Sequence, residues 1–327
     1  MDKIENRFEI LFLYEACDCN PNGDPLDENR PRTDPETGEA TVTDVRIKRT
    51  IRDYILSKEP SVAKRLERGT EILIRDTFKE DGCLCEGKDR AAQLGHKPSK
   101  EKKDANAQEL LKRAVLDRCI DARLFGTALP LGKGEASLQL TGPVQFMPFN
   151  RSLHRVAPVM VQQTAAFASK AGAHQKSFAE RWLLPYALIA SYGVVNECAA
   201  LSTGMTTSDF EVLLEALWHG TASLNSHSKI GHEPLLLVVL KNKPGYRIGR
   251  LPRRIGLCRK RVEDTAIRST QDYELEVGDL VECLAGSDGI CREVLVKQDF
   301  RLKCRVGESS GDFLNLVKGI PVRRLDV

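Results

Sequence analysis

The side chains most able to perform chemistry are carboxylates crowded into one short stretch: Asp24, Asp27, Glu28 and Asp34. Clustered carboxylates hold the metal ions of two-metal nucleases. The surrounding segment, Asn20 to Gly38, is dense in Asn, Pro, Gly and Asp, which are turn-forming residues. No predicted helix or strand fixes these carboxylates toward one point, and no His lies nearby. We interpret them as turn residues, and a metal-dependent nuclease remains the alternative.

A cluster of cations directly follows this loop, on a stretch that predicts a helix. Thr41 or Thr43 can serve as N-cap, and Asp44 suits the first turn. One face of that helix carries Ile47, Ile51, Tyr54 and Ile55. The other face carries Arg46, Lys48, Arg49 and Arg52, with no acid between the first and the last of them. This pattern predicts a helix that packs by one face and lies along a polyanion with the other, while its N-terminus offers N–H groups to phosphate.

Size and composition limit the class of protein and the kind of binding site that these residues can form. The chain has 327 residues, of which 41% are hydrophobic, which is enough for a substantial core. The formal net charge is only +3, so any polyanion site must be a local patch. The sequence shows neither an apolar run of about 18 residues nor a signal peptide. We therefore expect a cytoplasmic protein without membrane contact.

The ten cysteines do not suggest a metal site. Cys17-x-Cys19 and Cys83-x-Cys85 are one residue tighter than a zinc knuckle, and no second well-spaced pair follows. No nucleophile and base can be paired from the sequence either. We predict free thiols, no metal and no cofactor.

The elements that must position the candidate residues follow from periodicity and capping signals. Residues 7–14 predict a central strand with both faces covered, because apolar residues occupy consecutive positions. The later elements are a helix over 105–123, strands over 137–147 and 183–196, a helix opened by a capping box at Ser208-x-x-Glu211, and a strand over 235–240. Two long segments, which we call excursions, interrupt this order: residues 76–104, and the segment between the strands over 137–147 and 183–196. When both are set aside, the order of the elements is β-α-β-β-α-β. This predicts an α+β fold of the ferredoxin-like type, the architecture of the RNA-recognition motif.

Both excursions contain candidate contact residues. The first, a polar insertion over 76–104, leads into the 105–123 helix, which ends in Arg123, Phe125 and Gly126: a cation, a ring and a backbone open to close approach. The second joins two strands but is far longer than a hairpin turn. Its basic residues among small and hydroxyl side chains suggest a projecting arm, with Arg151, His154, Arg155, Lys170, Lys176 and Arg181 as candidates.

Several motifs in order resemble one known family. NPNGDP, NRPR, a TG turn and VTDVRIKRTIRDY are similar to the backbone subunit of type I CRISPR Cascade complexes, in the Csd/Csh branch of the Cas-seven family, nearest to type I-B. The resemblance extends to about Ile248. It implies a scaffold without catalysis of its own, stacked head to tail in a helical oligomer along a guide RNA (crRNA). A related branch from type III complexes uses a loop aspartate to cut RNA, so a type III-like RNA endonuclease is the alternative that this resemblance leaves open.

The resemblance also implies partners and a layout. The partners are crRNA, target DNA, further copies of the chain, the cap, large and small Cascade subunits and, indirectly, a helicase-nuclease. The layout has a palm (1–75 with the gripping loop and helix, 137–150 and 183–248), an inserted finger region (76–136), a thumb (151–182) and a basic connector with a C-terminal extension (249–327). The predicted RNA contacts are Asn20, Asn22, Arg30, Arg32, Arg46, Lys48, Arg49, Arg52, Arg123, Phe125, Gly126, Arg151, His154, Arg155, Lys170, Lys176, Arg181 and Lys229.

Overall fold

A computed structural model describes residues 3–95, 105–131, 138–168, 176–260, 262–287 and 289–327. In chain order the strands are β1 (Arg7–Cys19), β2 (Gly23–Asp24), β3 (Arg30–Pro31), β4 (Glu39–Thr43), β5 (Gly126–Leu129), β6 (Leu138–Thr141), β7 (Val144–Phe146), β8 (Phe149–Arg155), β9 (Val159–Ala168), β10 (Lys176–Val195), β11 (His232–Asn242), β12 (Gly256–Arg259), β13 (Tyr273–Glu276), β14 (Cys291–Gln298), β15 (Cys304–Val306), β16 (Ser309–Gly311) and β17 (Val322–Arg324).

The helices are α1 (Asp44–Lys58), α2 (Val62–Arg68), α3 (Gly87–Gln93), α4 (Ala105–Arg118), α5 (Ile120–Phe125), α6 (Glu197–Thr203), α7 (Thr207–Ala222), α8 (Gly278–Ala285) and α9 (Phe313–Leu316). The chain is therefore a mixed α+β protein. None of the helices in the described ranges is long and apolar enough to cross a membrane.

One large sheet organises the molecule, in the order β17-β14-β11-β1-β10-β8-β4. Its centre is antiparallel: β1 pairs with β10 on one side and with β11 on the other. β10 is long, and its first part pairs with β9 from Lys176 opposite Ala168 to Leu183 opposite Val159. These two segments form a two-stranded ribbon that leads into the main sheet. The ribbon coincides with part of the excursion that the sequence identified as an arm.

Strand β1 alternates between two cores, as its doubly apolar sequence predicts. Phe12 and Tyr14 pack with the apolar faces of α1 and α7 on one side of the sheet. Leu11 and Leu13 pack on the opposite side with residues from the C-terminal third of the chain, such as Tyr273 and Phe313. The prediction of a central strand covered on both faces is confirmed.

The C-terminal segment, residues 249–327, thus completes the sheet and covers its second face. β14 pairs with β11, and β17 pairs with β14. The buried Glu9 of β1 fixes the start of this segment, because its carboxyl oxygens accept hydrogen bonds from the amides of Ile248 (2.6 Å) and Gly249 (2.8 Å). Tyr192 Oη (2.5 Å) and Asn242 Nδ2 (2.7 Å) donate to the same group.

Two local predictions about helix ends differ from the structure. The helix predicted over 105–123 is interrupted at Cys119, where the chain pairs with Glu71 as a β-bridge, and α5 follows as a separate helix. The capping box that begins α7 is formed by Thr206 and Asp209, two residues before the predicted pair. Thr and Asp at this spacing satisfy the same two backbone N–H groups as Ser and Glu would.

Candidate nucleic-acid interface

The Asn20–Gly38 loop is tied to the start of α1. Its strands β2 and β3 form a small hairpin. Asn22 Oδ1 accepts hydrogen bonds from both the amide and the hydroxyl of Thr43, each at 2.9 Å. The Thr43 hydroxyl in turn accepts from Arg46 N and caps the helix, which decides between the two predicted caps. Asn22 therefore fixes where the loop stands relative to the helix N-terminus.

Arg46 and Lys229 form a pair of cations without a carboxylate partner at this end of the helix. Within the described ranges, neither forms an ion pair; Arg46 Nη2 donates to Thr50 Oγ1 at 3.1 Å, and Lys229 Nζ donates to the carbonyl of Asn20. Burial, and then the charge of Arg46, lower the pKa of Lys229 to about 8. Two close cations that lack a counter-ion favour an anionic ligand, because its charge would relieve their repulsion.

This pair continues into a contiguous basic surface. Asn20 Nδ2 donates to Asn29 O (2.6 Å), and the guanidinium of the next residue, Arg30, lies over the Trp182 ring at 3.8 Å from its centroid. Arg181, adjacent to this tryptophan, is hydrogen-bonded to His227. We call the set Arg30, Arg46, Arg181, His227 and Lys229 the basic junction. The loop, helix α1, the base of the ribbon and the segment before β11 meet there.

The sequence predicted the two residue types that give this junction its charge, Arg and Lys, at Arg30, Arg46, Arg181 and Lys229. It missed His227 as a member and Trp182 as the ring beneath Arg30. Neither belongs to a short motif. Trp182 becomes relevant because β3 packs across β10, and His227 becomes relevant because its segment folds back onto the loop. The only local signal was that Trp182 follows Arg181, since an aromatic ring beside a basic residue is common in nucleic-acid sites.

Helix α1 does not present the four accessible cations that its sequence predicted. Arg52 is buried, and its Nε donates to Asp121 Oδ2 at 2.8 Å. Lys48 pairs with Asp44 (2.8 Å) and Arg49 pairs with Asp53 (2.7 Å), both one helical turn away. The prediction is wrong for Arg52 because α5 places a carboxylate against it. Only Arg46 on this helix lacks an acidic partner among the described residues.

The residues predicted at the end of the inserted helix are also structural. Arg123 forms a two-pronged ion pair with Asp209, and Phe125 is 7% exposed. Gly126 has φ +74°, and a Cβ there would lie 2.1 Å from Leu140 O, so that only glycine fits. Phe125 and Gly126 are buried and the Arg123 side chain is only 13% exposed, so none of the three offers the accessible surface that an RNA contact needs. Burial against distant elements, which the sequence does not show, is the reason.

The basic residues of the second excursion divide between the sheet and the ribbon. Arg151, His154 and Arg155 belong to β8 in the main sheet and not to a projecting arm. His154 is buried, with its ring nitrogens bonded to Arg155 O and to the amide of Leu188. Lys176 lies in β10 at the ribbon end, where its side chain is not described, and Lys170 lies outside the described residues.

Two of the four loop carboxylates, Asp34 and Asp24, make turn and ion-pair contacts. Asp34 Oδ1 accepts from the amides of Glu36 (3.0 Å) and Thr37 (3.1 Å), while its other oxygen pairs with Arg151. The hydrogen bond from Arg151 is the main cause that lowers the pKa of Asp34 to about 2. Asp24 pairs with Arg32 at 3.0 Å. Over the described ranges, no group of three or more His, Cys, Asp or Glu side chains is placed to hold a metal ion.

A buried histidine behind the junction gives a prediction for pH. Burial is the largest of the causes that lower the pKa of His232 from 6.5 to about 4. As the pH falls, His232 is protonated in the unfolded chain before it is protonated in the folded chain. Its contribution to the free energy of unfolding is therefore fully present above pH 6.5 and is lost as the pH drops toward 4. The pKa difference corresponds to about 3 kcal/mol.

Denaturant unfolding of wild type and His232→Asn between pH 7 and pH 4 tests this. The difference in unfolding free energy between the two proteins should shrink by about 3 kcal/mol over that range. His227→Asn, at an exposed position, controls for the loss of an imidazole. A wild-type minus His232→Asn difference that is constant with pH would contradict the prediction.

Comparisons with known proteins agree with this architecture. The family model "CRISPR-associated protein Cas7" matches residues 6–278. The CRISPR-associated protein Cas7 of Haloferax volcanii is 30% identical over 324 residues, which covers 93% of this chain and 90% of that protein.

Two solved structures have a similar fold. A chain of a "CRISPR RNA-guided surveillance complex, pre-nicking" is 16% identical with a TM-score of 0.56, over 98% of this chain and 96% of that chain. A chain of a "CRISPR RNA-guided surveillance complex" is 14% identical with a TM-score of 0.51, over 98% and 95%. The family match extends beyond Ile248 into the C-terminal segment. The chain belongs to the Cas7 family of CRISPR-associated proteins.

Proposed function

We propose that this chain is a backbone subunit of an RNA-guided CRISPR surveillance complex, and that the basic junction holds the sugar-phosphate backbone of the guide RNA. One observation carries the proposal: the cations of the basic junction lie next to one another, and within the described ranges none of them has an acidic partner. These cations are Arg30, Arg181, Lys229 and Arg46. Guide sequences vary, so the contacts must be independent of base identity. Contacts with phosphates by Arg and Lys satisfy this requirement.

The fold is consistent with this role. The strand order β11-β1-β10-β8, with α1 and α7 on one face, supports our interpretation of the core as ferredoxin-like. Because the C-terminal segment covers much of the other face, base stacking across the open sheet is not the mechanism we propose. The guide instead crosses the end of the sheet at the junction, and the β9–β10 ribbon projects beside it as the thumb.

Assembly follows from the same proposal. Copies of the chain stack head to tail along one guide and present its bases to target DNA, and other subunits of the complex cap the open filament. Two solved structures of similar fold are chains of RNA-guided surveillance complexes, which supports guide RNA and other complex subunits as the partners. We propose no catalytic step for this chain: Asp34, the loop aspartate that a nuclease would use, is paired with Arg151 and accepts from backbone amides.

Substitution of Arg46 and Lys229 by Ala tests the junction. The double variant should bind guide RNA about 10- to 100-fold more weakly, with the salt dependence of binding reduced by about one unit of slope per lost phosphate contact. The measurement is the A260/A280 ratio and the RNA content of protein purified from cells that express a guide, followed by salt titration.

A double variant of exposed cations controls for net charge. Arg68→Ala with Arg113→Ala removes the same charge from side chains that are 64% and 72% exposed. This control should retain RNA as the wild type does. Equal RNA retention by the Arg46/Lys229 variant and the wild type would refute the assignment of the junction.

A further inference from the structure

A groove lies on the second face of the sheet, beside the start of the C-terminal segment. It has a volume of about 600 Å³, with β8 and β10 as its floor and the turn Arg250–Arg253 as its wall. We call it the second-face groove. It is separate from the basic junction, since Ala190 in its floor belongs to the core opposite α1 and α7.

The floor of the groove exposes apolar side chains that a folded monomer would normally bury. Phe149 is 53% exposed and Met147 is 45% exposed, and both line the groove. Phe149 is therefore free to stack with a planar ligand. Its exposure also means that truncating it leaves the core of the protein intact.

The wall of the groove carries unpaired positive charge. Arg250 and Arg253 are exposed, and neither forms an ion pair with any residue that the structure describes. On the opposite side, the carboxylates of Asp34 and Glu39 are both within salt-bridge distance of Arg151. Arg151 offsets one of these two acids, so the lining carries three arginines against two carboxylates and a net charge of +1, with the unpaired positive charge on the Arg250–Arg253 wall.

We propose that the second-face groove binds a single-stranded nucleic acid other than the guide RNA, with a base stacked on Phe149 and phosphates bound by Arg250 and Arg253. An exposed ring flanked by basic side chains is the combination by which proteins hold single strands without reading their sequence. An apolar protein segment would use the ring but would leave both arginines without partners. This inference goes beyond the proposed function, since it concerns a different strand on a different face.

The test measures binding of labelled oligonucleotides to the guide-loaded protein by fluorescence anisotropy. The probes are oligo(dT) and oligo(rU) of about 12 nucleotides, within the size range of single-strand sites, and neither complements the guide. Phe149→Ala should weaken binding about tenfold and Phe149→Trp should retain it, since the stacking surface is kept. Arg253→Glu should weaken binding about tenfold and reduce its salt dependence. Comparison of the two probes shows whether the strand is DNA or RNA.

Matched controls come from exposed residues elsewhere. Phe300→Ala removes a ring that is 88% exposed, and Arg113→Glu reverses a charge that is 72% exposed; both should bind as wild type. Three outcomes would overturn the proposal: no binding by wild type, wild-type affinity in both groove variants, or groove variants that change only the mass of the assembly. The last outcome would identify a protein contact.

The two proposals fail separately. If the protein carries no guide, the junction assignment is lost, but the oligonucleotide assay on the nucleic-acid-free protein still compares Phe149→Ala with Phe300→Ala. If the groove proposal is wrong, guide retention measured by A260/A280 is still lowered by the Arg46/Lys229 variant. The groove variants should leave guide retention unchanged.

Discussion

Replacement of Arg123 by Ala is expected to lower the free energy of unfolding by about 3–5 kcal/mol, the range for breaking a buried ion pair from one side. The guanidinium contacts both oxygens of Asp209, at 2.7 and 2.9 Å. It also donates to Leu116 O (2.7 Å) and Gly69 O (2.9 Å). Alanine would leave the Asp209 carboxylate and two carbonyl groups without these donors in a largely buried site.

The same variant distinguishes a structural role from RNA contact. Arg123→Lys should recover only part of the stability, because an ammonium group cannot reproduce the two-pronged geometry. Arg113→Ala, at an exposed helix position, should change the unfolding free energy by less than about 1 kcal/mol. The measurement is urea or guanidinium unfolding followed by circular dichroism. A loss of RNA binding by Arg123→Ala with unchanged stability would return this residue to the set of RNA contacts.

The second large effect is expected at Glu9. Its side chain is fully buried and accepts the hydrogen bonds of Tyr192, Asn242, Ile248 and Gly249. Glu9→Ala should cost about 3–5 kcal/mol, because several buried donors lose their acceptor at once. Glu9→Gln should cost less, since one oxygen remains, although its NH₂ group then faces donors.

Loss of the Glu9 carboxylate should also make the segment around Ile248 and Gly249, which follows β11, open more often. Tryptic cleavage at Arg247 and Arg250 should become faster in Glu9→Ala than in wild type, as expected when a local segment opens more often. Glu5→Ala, at an exposed position in the same N-terminal stretch, is the matched control. Wild-type stability and cleavage rate in Glu9→Ala would show that the C-terminal segment is held by its apolar contacts alone.

The sequence predicted the elements that depend on local patterns. The consecutive apolar residues of β1, the turn-rich loop and the amphipathic helix after it are local signals, and the structure has all three. The strand of residues 235–240 lies within β11 for the same reason.

The roles of individual charged residues could not be predicted in the same way. Arg52 and Arg123 appeared free because their partners, Asp121 and Asp209, lie 69 and 86 residues further along the chain. A helical wheel shows which side chains point away from the core. It does not show which residues from distant elements, here α5 and α7, pack against those side chains. Arg46 and Lys229 remain candidates because no described carboxylate reaches them, which is equally a property of the tertiary structure.

The position of β14 bears on how this protein can be shortened. The family match stops at residue 278, the first residue of α8, whereas β14 lies between β11 and β17 in the sheet. A fragment that ends at residue 278 lacks β14, so the backbone N–H and C=O groups of β11 that pair with β14 become exposed. Residues 235–240 of β11 are fully buried in the intact chain. Such an uncovered hydrophobic strand recruits other chains, so the fragment should aggregate even though it contains every matched motif.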